Sequence, residues 1–93
     1  MALRAGPHTF GYVTYDASSD MLYAGFEPQR RQGAREPTPE GDFLRYDEAG
    51  RFLGLILVDP GSRLEREGEV QVTLPSGDRV RVQGLELELR AAR

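Results

Sequence analysis

Three groups of side chains have the types and spacing that chemistry would need. The first is Asp16 and Asp20, four residues apart in the run Tyr15-Asp16-Ala17-Ser18-Ser19-Asp20-Met21-Leu22-Tyr23. Two carboxylates can divide into an acid and a base when their surroundings push their pKa values apart. They can also close a turn by accepting backbone amides. The small polar residues between two β-type runs favour that structural role here. A calcium loop requires a D-x-D-x-D series with a late Glu, and this pair does not fit it, so no metal is expected. The second group is the four tyrosines, Tyr12, Tyr15, Tyr23 and Tyr46, all within β-type runs. Phenol rings on a sheet can stack bases or grip a peptide, and they can equally pack at the rim of a core. The third is Arg30, Arg31 and Arg35 in the stretch EPQRRQGAREPTPE, an arrangement suited to holding an anion but offset by Glu27, Glu36 and Glu40. The candidate binding residues are therefore Tyr15, Asp16, Asp20, Tyr23, Arg30, Arg31 and Arg35. With no P-loop, nucleophile elbow, dinucleotide fingerprint or zincin motif in the chain, no catalytic residue, metal site or cofactor is expected.

Composition narrows the classes further. There is no cysteine among the 93 residues, which removes disulfides and thiolate chemistry. The single histidine, His8, lies in a Gly-Pro segment ahead of the first long run and reads as an exposed terminal residue. Fifteen acidic residues outnumber twelve basic ones, all of them Arg, for a net charge of −3, and both signs are spread along the chain. A duplex-DNA binder concentrates positive charge on one face, so that function is disfavoured. No apolar run approaches a membrane span, and the N-terminal MALRAGPHTF lacks the apolar stretch of a secretory leader. A cytoplasmic protein is the expectation.

The elements that must carry these residues are short strands separated by turn formers. Phe10–Tyr15 and Met21–Phe26 read as a hairpin closed at Asp16–Asp20. Glu27–Glu40 has three prolines and no large apolar residue, and reads as a mobile loop over 27–40 within one domain, 1–93. Phe43–Tyr46 is a strand, Asp47–Gly50 a turn, and the almost wholly apolar Arg51–Val58 the central strand. Ser62–Glu67 is the one expected helical turn, with Ser62 as cap and Gly68 as stop. Glu69–Leu74 and Arg79–Gln83 alternate as strands around Pro75-Ser76-Gly77-Asp78. Beyond Gly84 the apolar phase shifts from Val80 and Val82 to Leu85, Leu87 and Leu89. That shift predicts a bulge at Gly84 or a strand leaving for another surface. The fold class is mainly β: about six short antiparallel strands in a meander or partly closed barrel, with at most one helical turn near 62–67.

Two stretches of this chain, YDASSDMLY at Tyr15–Tyr23 and YDEAGRFLGLI at Tyr46–Ile56, together resemble the small bacterial proteins grouped as domain of unknown function 2283. The resemblance spans about Thr14 to Leu64. It implies a small β-rich cytoplasmic protein with an antitoxin-like or partner-binding role, and supplies no catalytic residue. The expected function is accordingly a non-enzymatic interaction or regulatory module. Alternatives are a single-stranded nucleic-acid binder using a Tyr/Arg surface, and an enzyme whose site forms only in an oligomer. A homodimer is expected, with a small protein as the other candidate partner. Phe52, Ile56 and Val58 fall on one face of the central strand and Leu53, Leu55 and Leu57 on the other, and so short a chain has too little to cover both.

Overall fold

A computed structural model of the chain describes residues 2–28 and 33–91. The protein is mainly β, as its alternation implies, and its strands form two antiparallel sheets with no closed barrel. In chain order the elements are β1 (Leu3–Ala5), β2 (His8–Phe10), β3 (Tyr12–Asp16), β4 (Met21–Gly25), β5 (Ala34–Pro37), β6 (Phe43–Tyr46), β7 (Phe52–Val58), α1 (Pro60–Glu67), β8 (Gln71–Thr73), β9 (Arg79–Gln83) and α2 (Leu85–Ala91). One sheet has the order β2-β1-β9-β8 and the other β3-β4-β7-β6-β5. The apolar run Phe52–Val58 is indeed central, paired to β4 on one edge and β6 on the other. The inner face of its sheet (Leu22, Ala24, Leu44, Leu55, Leu57) packs on Leu3, Ala5, Phe10, Val70, Val72, Leu74 and Val82 of the smaller sheet and its flanks. Burial of this two-sided apolar surface is the main stabilising term.

Several sequence expectations are corrected. The Gly6-Pro7 turn joins β1 to β2, so residues 3–10 form a hairpin, and its β1 edge pairs with β9. His8 is therefore a half-buried strand residue rather than an exposed terminal one. Its ring lies 5.1 Å from Phe52, 5.8 Å from Phe26 and 6.2 Å from Phe10. The stretch 27–40 is not a continuous loop: Ala34–Pro37 pairs with β6 as an edge strand. An edge strand needs hydrogen bonds on one side only, so Pro37 at its end is tolerated. All four of its residues are exposed, which left no apolar alternation to read.

The C-terminal correction is larger. Gly84 neither bulges a strand nor extends one; it adopts φ 84° and opens α2. A side chain there would bring Cβ within 2.7 Å of the Ala2 carbonyl, so only glycine fits. The residues after it, Leu-Glu-Leu-Glu-Leu-Arg-Ala, are all strong helix formers. Helical geometry puts Leu85 and Leu89 on one side, buried in the core, and leaves Leu87 50% exposed. A strand would have treated the three alike. Leu89→Ala should therefore cost about 2–4 kcal/mol and Leu87→Ala no more than about 0.5 kcal/mol in urea denaturation. Equal losses at the two positions would contradict the helix.

Candidate functional site

The two aspartates flanking the β3–β4 turn have separate structural work. Asp16 accepts hydrogen bonds from the Ser18 amide at 3.0 Å and the Ser18 hydroxyl at 2.6 Å, closing the turn locally. Those bonds hold its carboxyl below the usual range. Asp20 has φ 53° and reaches across the chain to α1. It accepts from the Tyr15 hydroxyl at 2.7 Å, the Gly61 amide at 2.9 Å, and the Ser62 amide and hydroxyl at 3.0 Å each. Partial burial pushes the Asp20 carboxyl up, but these donors outweigh it and the net displacement is downward. The helix cap that the sequence assigned to Ser62 is thus supplied from outside: Asp59 precedes Pro60 with no side-chain cap of its own, and Asp20 takes the role. Asp16 and Asp20 have different hydrogen-bond partners, and neither lines the cleft beside Arg45 or the one beside Glu40.

Register places the remaining candidates. Directly paired residues of an antiparallel sheet share a face, so the outer face of the larger sheet reads as three cross-strand rows. They are Tyr12–Gly25–Gly54–Arg45–Arg35, Thr14–Tyr23–Ile56–Phe43–Pro37, and Asp16–Met21–Val58. Tyr23 and Arg35 thus lie on one surface, while Tyr15 turns inward to the core. Arg30 and Arg31 lie outside the described residues. None of the apolar side chains on the outer face joins the core cluster. Ile56 is nonetheless inaccessible to solvent, flanked across the strands by the half-buried Tyr23 and Phe43. Tyr12 is 52% exposed at the edge. The expectation that Phe52 shares a face with Ile56 and Val58 is corrected by register. Arg45 pairs with Gly54 but Tyr46 with Phe52, so Leu53 is an extra residue and Phe52 turns inward.

At the end of this face the strands enclose an open cleft of about 910 Å³. Phe26, Pro28, Phe52 and Leu53 supply its apolar wall, and Arg45 lines it beside Glu27, Asp47, Glu48 and Arg51. Phe26 and Phe52 belong to a ring cluster with His8 and Phe10, in which Phe26 lies 4.9 Å from Phe10 and 5.8 Å from Phe52. Asp47 is committed to its own turn: it accepts from the amides of Ala49 and Arg51 and from Arg51 Nε, each at 2.9 Å. Arg45 is different. It is 4% exposed, its Nε is buried with no hydrogen-bond partner, and among the described residues no carboxylate pairs with it. Burial, and then the like charge of Arg35, pull its guanidinium below the usual arginine value. The buried Arg63–Asp42 pair shows the contrast: Arg63 Nη1 meets the fully buried Asp42 at 2.6 Å and donates to the Val58 carbonyl, and Nη2 donates to the Gln71 carbonyl. Sequence reading missed Arg45 because an arginine inside FLRY looks like a solvated strand position. Its parity with Phe43 and Ile56, rather than with Leu44 and Leu55, is the signal that places it on the outer face.

Comparison of the chain with protein families, with curated proteins and with solved structures finds no match. No helix among the described residues is long and apolar enough to cross a membrane, and among them no group of three or more His, Asp or Glu is arranged to hold a metal ion.

The Asp20 geometry gives a pH test. A carboxyl whose folded pKa lies below its unfolded value, 3.8, stabilises the fold above that value and loses the contribution as pH falls through the folded pKa. Asp20→Ala should cost about 2 kcal/mol at neutral pH, the scale of hydrogen bonds to a charged group on a partly exposed side chain. The gap to the unsubstituted protein should close as acid protonates Asp20, which urea titrations at neutral and acid pH will measure.

Proposed function

We propose that this protein is a non-enzymatic interaction module, of antitoxin-like type and cytoplasmic, which works through the outer face of its five-stranded sheet and takes a second copy of itself as its partner. The observation that carries the reading is a set of apolar and aromatic side chains on this face outside the core cluster: the half-buried Tyr23, Phe43, Met21 and Val58 around the solvent-inaccessible Ile56, with the exposed Tyr12 at the edge. Such surfaces mark interfaces when they exceed a few hundred Å². Charge supports self-association. Asp16 and Arg35 sit at diagonally opposite corners of this face. A two-fold axis in the interface, perpendicular to that diagonal, brings Asp16 of each copy onto Arg35 of the other. The two motif stretches that resemble domain of unknown function 2283 end on this sheet, and the interaction role implied by that resemblance agrees with the reading.

A second reading, a single-stranded nucleic-acid binder, draws on the row Tyr12–Arg45–Arg35, since bases stack on exposed rings beside arginines. The acidic balance of the chain, a net charge of −3, works against it. Light scattering at low micromolar concentration should give twice the chain mass of 10.4 kDa. Phe43→Asp should weaken the dimer at least ~10-fold by placing a charge in the apolar row. A monomer mass for the unsubstituted protein would overturn the self-association. A labelled single-stranded oligonucleotide whose anisotropy rises with the monomer, and is lost in Tyr12→Ala, would select the second reading instead.

A further inference from the structure

The cleft at the end of β4 and β7 holds a feature that neither folding nor the outer-face reading uses. A guanidinium taken out of water without a partner is unfavourable, and an apolar side chain of similar length would fill the same space better. Arg45 meets that cost in part: the residue is 4% exposed and its Nε is buried and unpaired. The acids around it do not neutralise it. Asp47 is spent on the Ala49 and Arg51 amides and on Arg51 Nε, while Glu27 and Glu48 have interactions of their own. The backbone leaves the cation room. Gly25 presents no side chain, and the point a Cβ would occupy lies 3.8 Å from Arg45 Nη1, 3.4 Å from the Leu53 carbonyl and 3.5 Å from the Glu27 carbonyl. Nη1 therefore sits beside backbone that lines the cleft. Phe26 and Phe52 line the same cleft, as an aromatic wall continuous with the His8–Phe10 rings.

We infer that the cleft is a ligand site in which Arg45 receives a single carboxylate, while Phe26 and Phe52 receive an aromatic or branched apolar body attached to it. The charge count selects the class. One guanidinium fork matches one planar carboxylate. The acids Glu27, Asp47 and Glu48 at the cleft repel a doubly charged phosphate more strongly than a singly charged carboxylate. A cleft of about 910 Å³ accommodates a body larger than a bare anion. The same chemistry is offered by a free small acid and by the C-terminus of a peptide ending in an apolar residue. The inference goes beyond the sheet-face reading and does not rest on it: the residues it uses all belong to one chain.

Titration followed by amide and arginine-side-chain NMR tests it, with oligomeric state measured on the same samples so that failure of the dimer and failure of the cleft are told apart. The probes are 3-phenylpropionate, its neutral amide, a pentapeptide ending in Phe with a free carboxylate, the same peptide amidated, and inorganic phosphate. The expected result is saturable binding of one or both carboxylates, with shifts at Gly25, Phe26, Arg45 Nε and Phe52, and at least tenfold weaker binding of the amides and of phosphate. Tighter binding of the peptide identifies a chain terminus as the source; equal or tighter binding of the free acid identifies a small molecule. Arg45→Met should abolish binding while leaving the melting temperature equal or higher, an outcome a purely structural arginine would not give. Arg45→Lys, which keeps the charge and loses the fork, should bind at least threefold more weakly and serves if the Met variant does not fold. Absence of binding at millimolar probe, binding unchanged in the variant, preference for phosphate, or a melting temperature lowered by Arg45→Met would each overturn the assignment.

Discussion

Strand β7 is the constraint on which the other elements depend. It is hydrogen-bonded along both edges, so β4 must match its register residue for residue and β6 must match it apart from a single bulge. Its alternation sends Leu55 and Leu57 into the core and Ile56 outward. The extra residue Leu53 then reverses the phase, so Phe52 joins the inner face without breaking the ladder. Next to that bulge Gly54 pairs with Gly25, and a Cβ on Gly54 would run into the Ala24 carbonyl. Two adjacent glycines make a bare strip on the outer face, and it is there that Arg45 can lie flat. The position of the cleft is thus a consequence of how the central strand is paired.

Most charged groups that leave the surface of this protein act as ties between segments far apart in sequence. Asp20 joins the β3–β4 turn to the start of α1. Asp42 accepts from the Val58 amide and from Arg63, which itself reaches the Gln71 carbonyl, so one buried pair links β7, α1 and β8. Glu40 accepts from the Thr73 amide and hydroxyl and pairs with Arg79 at 3.3 Å, fastening the 38–42 turn to the smaller sheet. Burial raises the Glu40 carboxyl and the Thr73 bonds more than offset this, leaving it below the usual range. In each case a charge is desolvated only in company, which keeps the penalty small. Asp42 Oδ2 and Glu88 Oε1, like Arg45 Nε, are buried without a hydrogen-bond partner, but of the three groups Arg45 is the one that lines the cleft, and that position, more than the size of the cleft, draws attention to it.

The outer face and the cleft meet at one row. Arg45 and Arg35 end the row that begins at Tyr12, and the apolar row beside it carries Tyr23 and Phe43. A partner seated on the face and a carboxylate seated in the cleft would therefore be neighbours. The geometry allows them to influence one another through the same strand, β6.

What the residues determine alone is local. The alternation of Val70, Val72 and Leu74, the unbroken apolar run of β7, and the turns at Asp16–Asp20, Asp47–Gly50 and Pro75–Asp78 are periodicity and turn chemistry. They are legible because each depends on neighbours a few positions away. The structural work of Asp16 was legible for the same reason, since its partner is Ser18. Asp20 was only half legible: its turn position was readable, but apart from the Tyr15 hydroxyl its donors, Gly61 and Ser62, lie more than forty residues on. Leu85–Ala91 misled because a strand period was written in helix-forming residues, and a positive φ at Gly84, where the nearby Ala2 carbonyl leaves no room for a Cβ, settled the matter in favour of the helix. Phe52 changed faces through a single unpaired residue, which no alternation rule anticipates. Arg45 was invisible for a deeper reason. Whether a guanidinium on a strand is solvated, paired or stranded depends on which side chains the tertiary structure brings beside it, and here it brought two glycines and another arginine.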